Sequence, residues 1–362
     1  MNPAVVGLAT ASPKYSINQQ DSVEIATTFC GDPELGRKLT ALYRMSRVQS
    51  RGSVLLERPE GSQPRQTFFP VSTGPSGKGP RVSERMRLYA EEARPLAVEA
   101  SRKALADAGV DPQDAAYLIT VTCTGFQAPG FDVALMKQLP LSPDAQRTQI
   151  GFMGCHGAIN GLRAARAYAT ASPGSTVLLC AVELCSLHFH YGVDPEQMVA
   201  NALFADGAAA AVIRASESEQ SSGWNLVDVG SRLFPDCEDA MTWTIGDHGF
   251  VMTLSPQVPD LIASHLRPWL GDWLAKHDLR VEDVRSWAVH PGGPRILLAA
   301  AEALELDDQA MAASREVFAN HGNMSSPTLL FILKRLRDQS APTPCVALGF
   351  GPGLVAEAAL FR

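Results

Sequence analysis

Residues 151–166 read GFMGCHGAINGLRAAR. Small residues (Gly151, Gly154, Gly157 and Ala158) crowd a single cysteine, Cys155, where the apolar positions take up helical spacing. A thiol at a helix start meets unsatisfied N–H groups and the positive end of the helix dipole, and both favour thiolate. The glycines let backbone or a ligand approach closely. Taken alone, the stretch leaves two readings open: a buried thiol filling a small space, or a nucleophile.

The surroundings of this stretch set the fold class. Upstream, Tyr117–Thr122 (YLITVT) is a β-branched strand that ends at Cys123-Thr124-Gly125, and the helix opens at Cys155 roughly thirty residues later. Downstream follow a strand over Thr176–Val182 and an apolar run over Ala208–Ile213. The order then recurs. Trp287–Val289 is a strand ending in His290-Pro291-Gly292-Gly293; Asn323-Met324-Ser325-Ser326 opens the helix TLLFILKRL; Cys345–Leu348 is a strand that runs into GFGPG. Val5–Ala9 reads as a short strand, Arg85–Ala108 as a helix stopped by Gly109, Val258–His277 as a helix and residues 57–84 as a long irregular loop. The polar stretch SESEQSSG, 216–223, divides an amino-terminal half, 1–220, from a carboxyl-terminal half, 221–362. The expectation is two related α/β halves packed face to face, with strand ends and helix starts meeting at the centre.

Bulk properties narrow the function. The chain has 362 residues, 46% hydrophobic and 19% charged, with net charge −7, which argues against a general nucleic-acid partner. Apolar runs such as TVLLCAV fall short of the ~20 residues of a membrane span. The amino terminus lacks a signal-peptide pattern, so a soluble cytoplasmic protein is expected. Seven cysteines occur and none makes a CxxC pair, so no metal site is expected.

Cys155, His290 and Asn323 carry the candidate chemistry. His290 ends a strand before a turn, from which it either reaches into a site or sits satisfied in the core. Asn323 precedes a helix and serves either as a cap or as a side-chain donor. His156 and His321 compete as bases, while His188 and His190 read as loop decoration. Together the three suit acyl transfer: a histidine holds the thiol as thiolate, and His and Asn N–H groups stabilise an oxyanion. The same trio in the same order serves papain-like hydrolases, so it does not by itself choose the reaction.

Five segments choose it: GFMGCHGAINGLRAA around Cys155, NALFADGAAAAVI around Phe204, WAVHPGGPRIL around His290, GNMSSPTLLFIL around Asn323, and GFGPGLVAE from Gly349. In these, at compatible spacing and over nearly the whole chain, the sequence resembles type III polyketide synthases, the chalcone-synthase-like branch of the thiolase superfamily, in a bacterial-type form. The resemblance implies an α/β thiolase fold, five layers αβαβα built from two similar halves, as a homodimer. It implies that Cys155 carries the starter and growing chain, that His290 and Asn323 assist decarboxylation, and that Phe204 is a gatekeeper. It further implies that Cys123, Trp243, Met252, Ser325 and the loop Gly349-Phe350-Gly351-Pro352-Gly353 border the substrate. Cys185 is a further candidate for the cavity wall. Arg44 matches a family arginine for coenzyme A; two lysines usual there are replaced by Ala41 and Val48, so Arg47, Arg51 and Lys38 are candidate substitutes. Ala128 stands where plant enzymes place a methionine reaching into the partner subunit. The implied substrates are an acyl-CoA starter and malonyl-CoA, with neither cofactor nor metal, and the product a pyrone, a resorcinol or phloroglucinol, or a hydroxynaphthalene. The rival is a ketoacyl synthase III-like enzyme that uses an acyl-carrier protein.

Overall fold

The computed structural model describes the backbone of residues 2–30, 35–59, 62–72, 77–216 and 224–362. Its largest sheet has nine strands. In spatial order they are Ser286–Val289, Cys345–Gly351, Val355–Phe361, Trp224–Leu233, Asn2–Ala11, Asp206–Ser216, Thr176–Leu184, Ala115–Thr122 and Gln146–Gly151.

Side-chain alternation explains how this sheet is covered. Every position of Thr176–Leu184 is buried, so both faces need a cover. Val177, Leu179 and Ala181 join a core with Ile159 and Leu162 of the helix Gly157–Ala171 and Leu329 and Ile332 of the helix Ser326–Asp338. The intervening Leu178, Cys180 and Val182 join another with Leu96, Ala97, Ala100 and Ala104 of the helix Val82–Ala108. In the carboxyl-terminal half, Val346, Leu348, Ala356 and Ala358 pack on Ile262, Leu266 and Leu270 of Val258–Ala275 and on Pro294–Leu304. The central core also takes Ala347, Ala359 and Phe361 from the inner face of that half. The layers therefore run outer helix, sheet, shared central helices, sheet, outer helices, as expected for αβαβα.

The duplication is visible in the pairing. Asn2–Ala11, Asp206–Ser216, Thr176–Leu184 and Ala115–Thr122 pair antiparallel, antiparallel and parallel. Trp224–Leu233, Val355–Phe361, Cys345–Gly351 and Ser286–Val289 repeat that order and sense. The halves join where Ala4 pairs with Asn225 and Val5 with Trp224. Within each half, parallel strands aim their carboxyl ends the same way; Cys123, Cys155 and Cys185 follow such ends in the first half, and His290 follows one in the second.

Several expectations need correction. A single 3-10 turn, Gly154–His156, carries Cys155, and the α-helix starts at Gly157. The stretch expected to be irregular holds a short ladder of Leu56–Glu57 with Arg65–Gln66, and the helix begins at Val82. The edge strand Gln146–Gly151 was missed because QRTQIG is polar and has no apolar alternation. Of the expected linker, residues 217–223 lie outside the described residues.

Candidate active site

The nucleophile turn is held by close packing. Gly154 has φ +72°, and a Cβ there would lie 2.4 Å from Pro352 Cδ, so both the conformation and the space call for glycine. Cys155 is half-buried between buried Gly154 and His156. The side chains of Ser325 and Asn323 lie close enough to its thiol to favour the charged form. The thiolate expected from the helix start does not follow in the resting site. Burial pushes the thiol up to about 11, with the Glu183 charge adding and the Ser325 and Asn323 hydrogen bonds opposing. A helix start is worth roughly 0.3–1 kcal/mol, less than one pKa step, so burial wins.

Asn323 is fully buried and does not cap the helix; Ser325, with φ 55° and ψ −129°, holds that position. The Asn323 Oδ1 accepts from Ser325 N (2.8 Å), and Nδ2 has a long contact with Gly292 O (3.5 Å), in the turn that follows His290. Its backbone brackets Phe204: Asn323 N donates to Leu203 O and Ala205 N donates to Asn323 O, both at 2.9 Å. His290 is buried, and among the described residues neither ring nitrogen has a hydrogen-bond partner. Burial, followed by nearby His156, lowers its pKa to about 3, so the ring rests neutral. Buried polar groups are almost always paired, and an unpaired, neutral imidazole is a base waiting for a proton.

A cavity opens onto Cys155. Cys123, Cys185, Ser325, Phe204 and Pro352 line it together with Trp243, Phe250, Met252 and His188. Trp243 and Met252 are direct partners in the hairpin Met241–Gly246/Gly249–Leu254, and Trp243 Nε1 donates to Cys123 O at 2.7 Å. His188 is no loop ornament. Its Nδ1 accepts from Phe250 N (3.0 Å), so Nε2 carries the hydrogen and donates to Thr124 O (2.7 Å). Its ring stacks on Phe250 with centroids 4.1 Å apart. Locked in this way, and pushed down to about 3 by burial, His188 is a neutral wall.

Glu183 was not singled out as functional. It is fully buried beneath the cavity and accepts from Cys123 N (2.9 Å), Thr124 Oγ1 (2.7 Å) and Ser326 Oγ (2.7 Å), which ties strand ends of one half to a helix start of the other. Burial raises its pKa against those hydrogen bonds. The signal was present, a lone carboxylate in the apolar run TVLLCAVEL.

Other expected site residues fall elsewhere. Arg51 is buried and donates to the carbonyls of Asn201 (2.9 Å), Ala202 (2.6 Å) and Phe204 (3.2 Å), which closes the end of the helix Pro195–Leu203 rather than facing a coenzyme. Arg44 and Arg47 are exposed. In GFGPG, Phe350 points into the outer core and Gly353, φ +77°, forms the turn between strands. Gly349 and Gly351 lie against His156, and Pro352 alone of the five borders the cavity. Among the described residues no helix is long and apolar enough to cross a membrane.

Comparison with known proteins agrees with this geometry. Residues 2–217 match the family described as chalcone and stilbene synthases, N-terminal domain, and residues 225–362 match the corresponding C-terminal domain. The chain is 33% identical to the α-pyrone synthesis polyketide synthase-like Pks18 of Mycobacterium tuberculosis, over 99% of this chain and 90% of that one. It is also 33% identical to the 1,3,6,8-tetrahydroxynaphthalene synthase of Streptomyces peucetius subsp. caesius, over 99% of this chain and 93% of the relative. Among solved structures, PKS-I of the brown alga Ectocarpus siliculosus superposes with a TM-score of 0.93 at 34% identity, covering 100% of this chain and 98% of that one.

Proposed function

Because this chain belongs to the chalcone and stilbene synthase family and is a type III polyketide synthase, an acyltransferase, we propose that Cys155 carries an acyl chain that grows by iterative decarboxylative Claisen condensation with malonyl-CoA. The single observation that supports it is the approach of Ser325 and Asn323 to the Cys155 thiol at a cavity wall, in a chain whose buried His290 has no partner for either ring nitrogen among the described residues.

The thiol proton passes to an imidazole nitrogen of His290, and the thiolate attacks the starter thioester. The C–S bond to coenzyme A breaks, and the departing thiolate takes the proton back. Malonyl-CoA then loses CO2, and the C–C bond pair becomes an enolate whose oxygen meets N–H donors of His290 and Asn323. The enolate carbon attacks the acyl–Cys155 carbonyl and expels the cysteine thiolate. An apolar cavity favours loss of the carboxylate charge. Arg44 and Arg47, both exposed, are the candidates to meet coenzyme A phosphates, and no cofactor beyond the thioesters is required. A homodimer is supported by Phe126 and Met153, large apolar side chains left exposed beside the nucleophile turn.

The test is incubation with malonyl-CoA and a panel of acyl-CoAs, with product masses read directly. An acyl-primed pyrone or resorcinol, or a hydroxynaphthalene from malonyl-CoA alone, is expected, and Cys155→Ala should abolish it. A requirement for acyl-carrier protein, or product from Cys155→Ala, overturns the proposal.

A further inference from the structure

A buried polar chain leads away from the nucleophile turn on the side opposite the cavity. His156 is 1% exposed, and its Nδ1 lies 2.8 Å from Asn160 Oδ1. The next link fixes the roles. Asn160 Nδ2 donates to Glu357 Oε1 at 3.1 Å, so the oxygen of that amide faces the histidine and Nδ1 must carry the hydrogen. Glu357 is anchored in turn by Ser231 Oγ (2.8 Å) and by an ion pair with Arg163. The chain thus runs from the helix after Cys155 to two strands of the other half, with a buried carboxylate at its end.

The ring of His156 also fills a slot in the opposite half. A Cβ on Gly351 would fall 2.3 Å from its Cδ2 and 2.6 Å from its Nε2, and one on Gly349 would fall 3.3 Å from its Cβ. Two glycines of GFGPG are therefore explained by this ring, one residue from the nucleophile.

We propose that His156 is a positioning residue for Cys155: the Glu357–Asn160 relay fixes its tautomer and orientation, and the oriented ring clamps the nucleophile turn against Gly349–Pro352 so that the thiol stays on Ser325 and Asn323. This rests on the reading of Cys155 as acyl carrier. The clamp acts on the thiol and not on the malonyl-CoA decarboxylation assigned to His290 and Asn323. Burial keeps His156 neutral, so it clamps without adding a charge near His290.

The experiment compares two rates in each of wild type, His156→Phe, Asn160→Leu, their double variant and His156→Asn. One rate is iodoacetamide alkylation of Cys155 at neutral pH, read by intact mass; the other is CO2 release from malonyl-CoA. His156→Phe keeps the ring volume but removes the donor. Alkylation should fall about 10- to 100-fold, the range expected when a reacting group loses its placement, while CO2 release stays within about twofold. Asn160→Leu should reproduce the loss, and the double variant should add little, because the two act as one relay. In His156→Asn the amide nitrogen occupies the Nδ1 position and should recover most of the rate, which keeps the test open if the Phe variant fails to fold. Unchanged alkylation in His156→Phe, equal loss of both rates, or independent multiplying effects of the two single variants overturns the clamp. Failure of the condensation reading would show instead in wild type, as no CO2 from malonyl-CoA, and the alkylation comparison would still decide the clamp.

Discussion

Cys155 and His290 illustrate how burial works on single groups. It pushes the thiol up and the imidazole down, so each is neutral when considered alone. On the proposed mechanism, proton transfer from Cys155 to His290 supplies the thiolate at neutral pH. Removing the acceptor should therefore expose the thiol's own value. In His290→Gln the pH profile of Cys155 alkylation should move up toward about 11, with thiolate scarce at every lower pH, whereas wild type should titrate below it. Coincident profiles would show that His290 does not take the proton. Arg51 gives a stability prediction at the same scale. Arg51→Met leaves three buried carbonyls without their charged donor and should lose about 2–3 kcal/mol in urea unfolding; a change below about 0.5 kcal/mol would mean that water replaces the guanidinium at no loss. The sequence placed this arginine beside other basic residues, and nothing local distinguishes an arginine facing solvent from one capping a distant helix end.

At the scale of elements, the hairpin Met241–Gly246/Gly249–Leu254 governs the room beside the nucleophile. Trp243 and Met252 face the cavity from paired positions, and Trp243 is tied to Cys123 O. Trp243→Gly removes the largest wall side chain from the cavity. Product masses should rise by whole ketide units, with the starter preference moving toward bulkier acyl groups; an unchanged product profile would place the length control elsewhere. The strands and helices that carry Cys155, His290 and Asn323 were legible because each is a strong periodic or β-branched run. The edge strand Gln146–Gly151 and the helix Gln19–Cys30 were not, since their sequences carry mixed patterns that tertiary packing completes.

At the scale of the whole molecule, both halves contribute to one central core. Ile159, Leu162, Leu329 and Ile332 share it, and Glu183, Asn160 and Arg163 cross the boundary to Ser326 and Glu357. Division at 220/221 is thus proposed as a division by descent rather than into units that fold alone. Thermal unfolding followed by circular dichroism and tryptophan fluorescence should give one coincident transition, and light scattering should give twice the chain mass; two separated transitions would show independent halves. By itself the sequence determined the α/β class and the duplication, and it pointed to the proposed nucleophile, base and amide, because periodicity and a few motifs are local properties of the chain. Only the tertiary structure decided that Glu183 and His188 belong to the site, that Arg51 and Phe350 do not, and that His156 grips the other half, because contacts between residues far apart in the chain have no local signature.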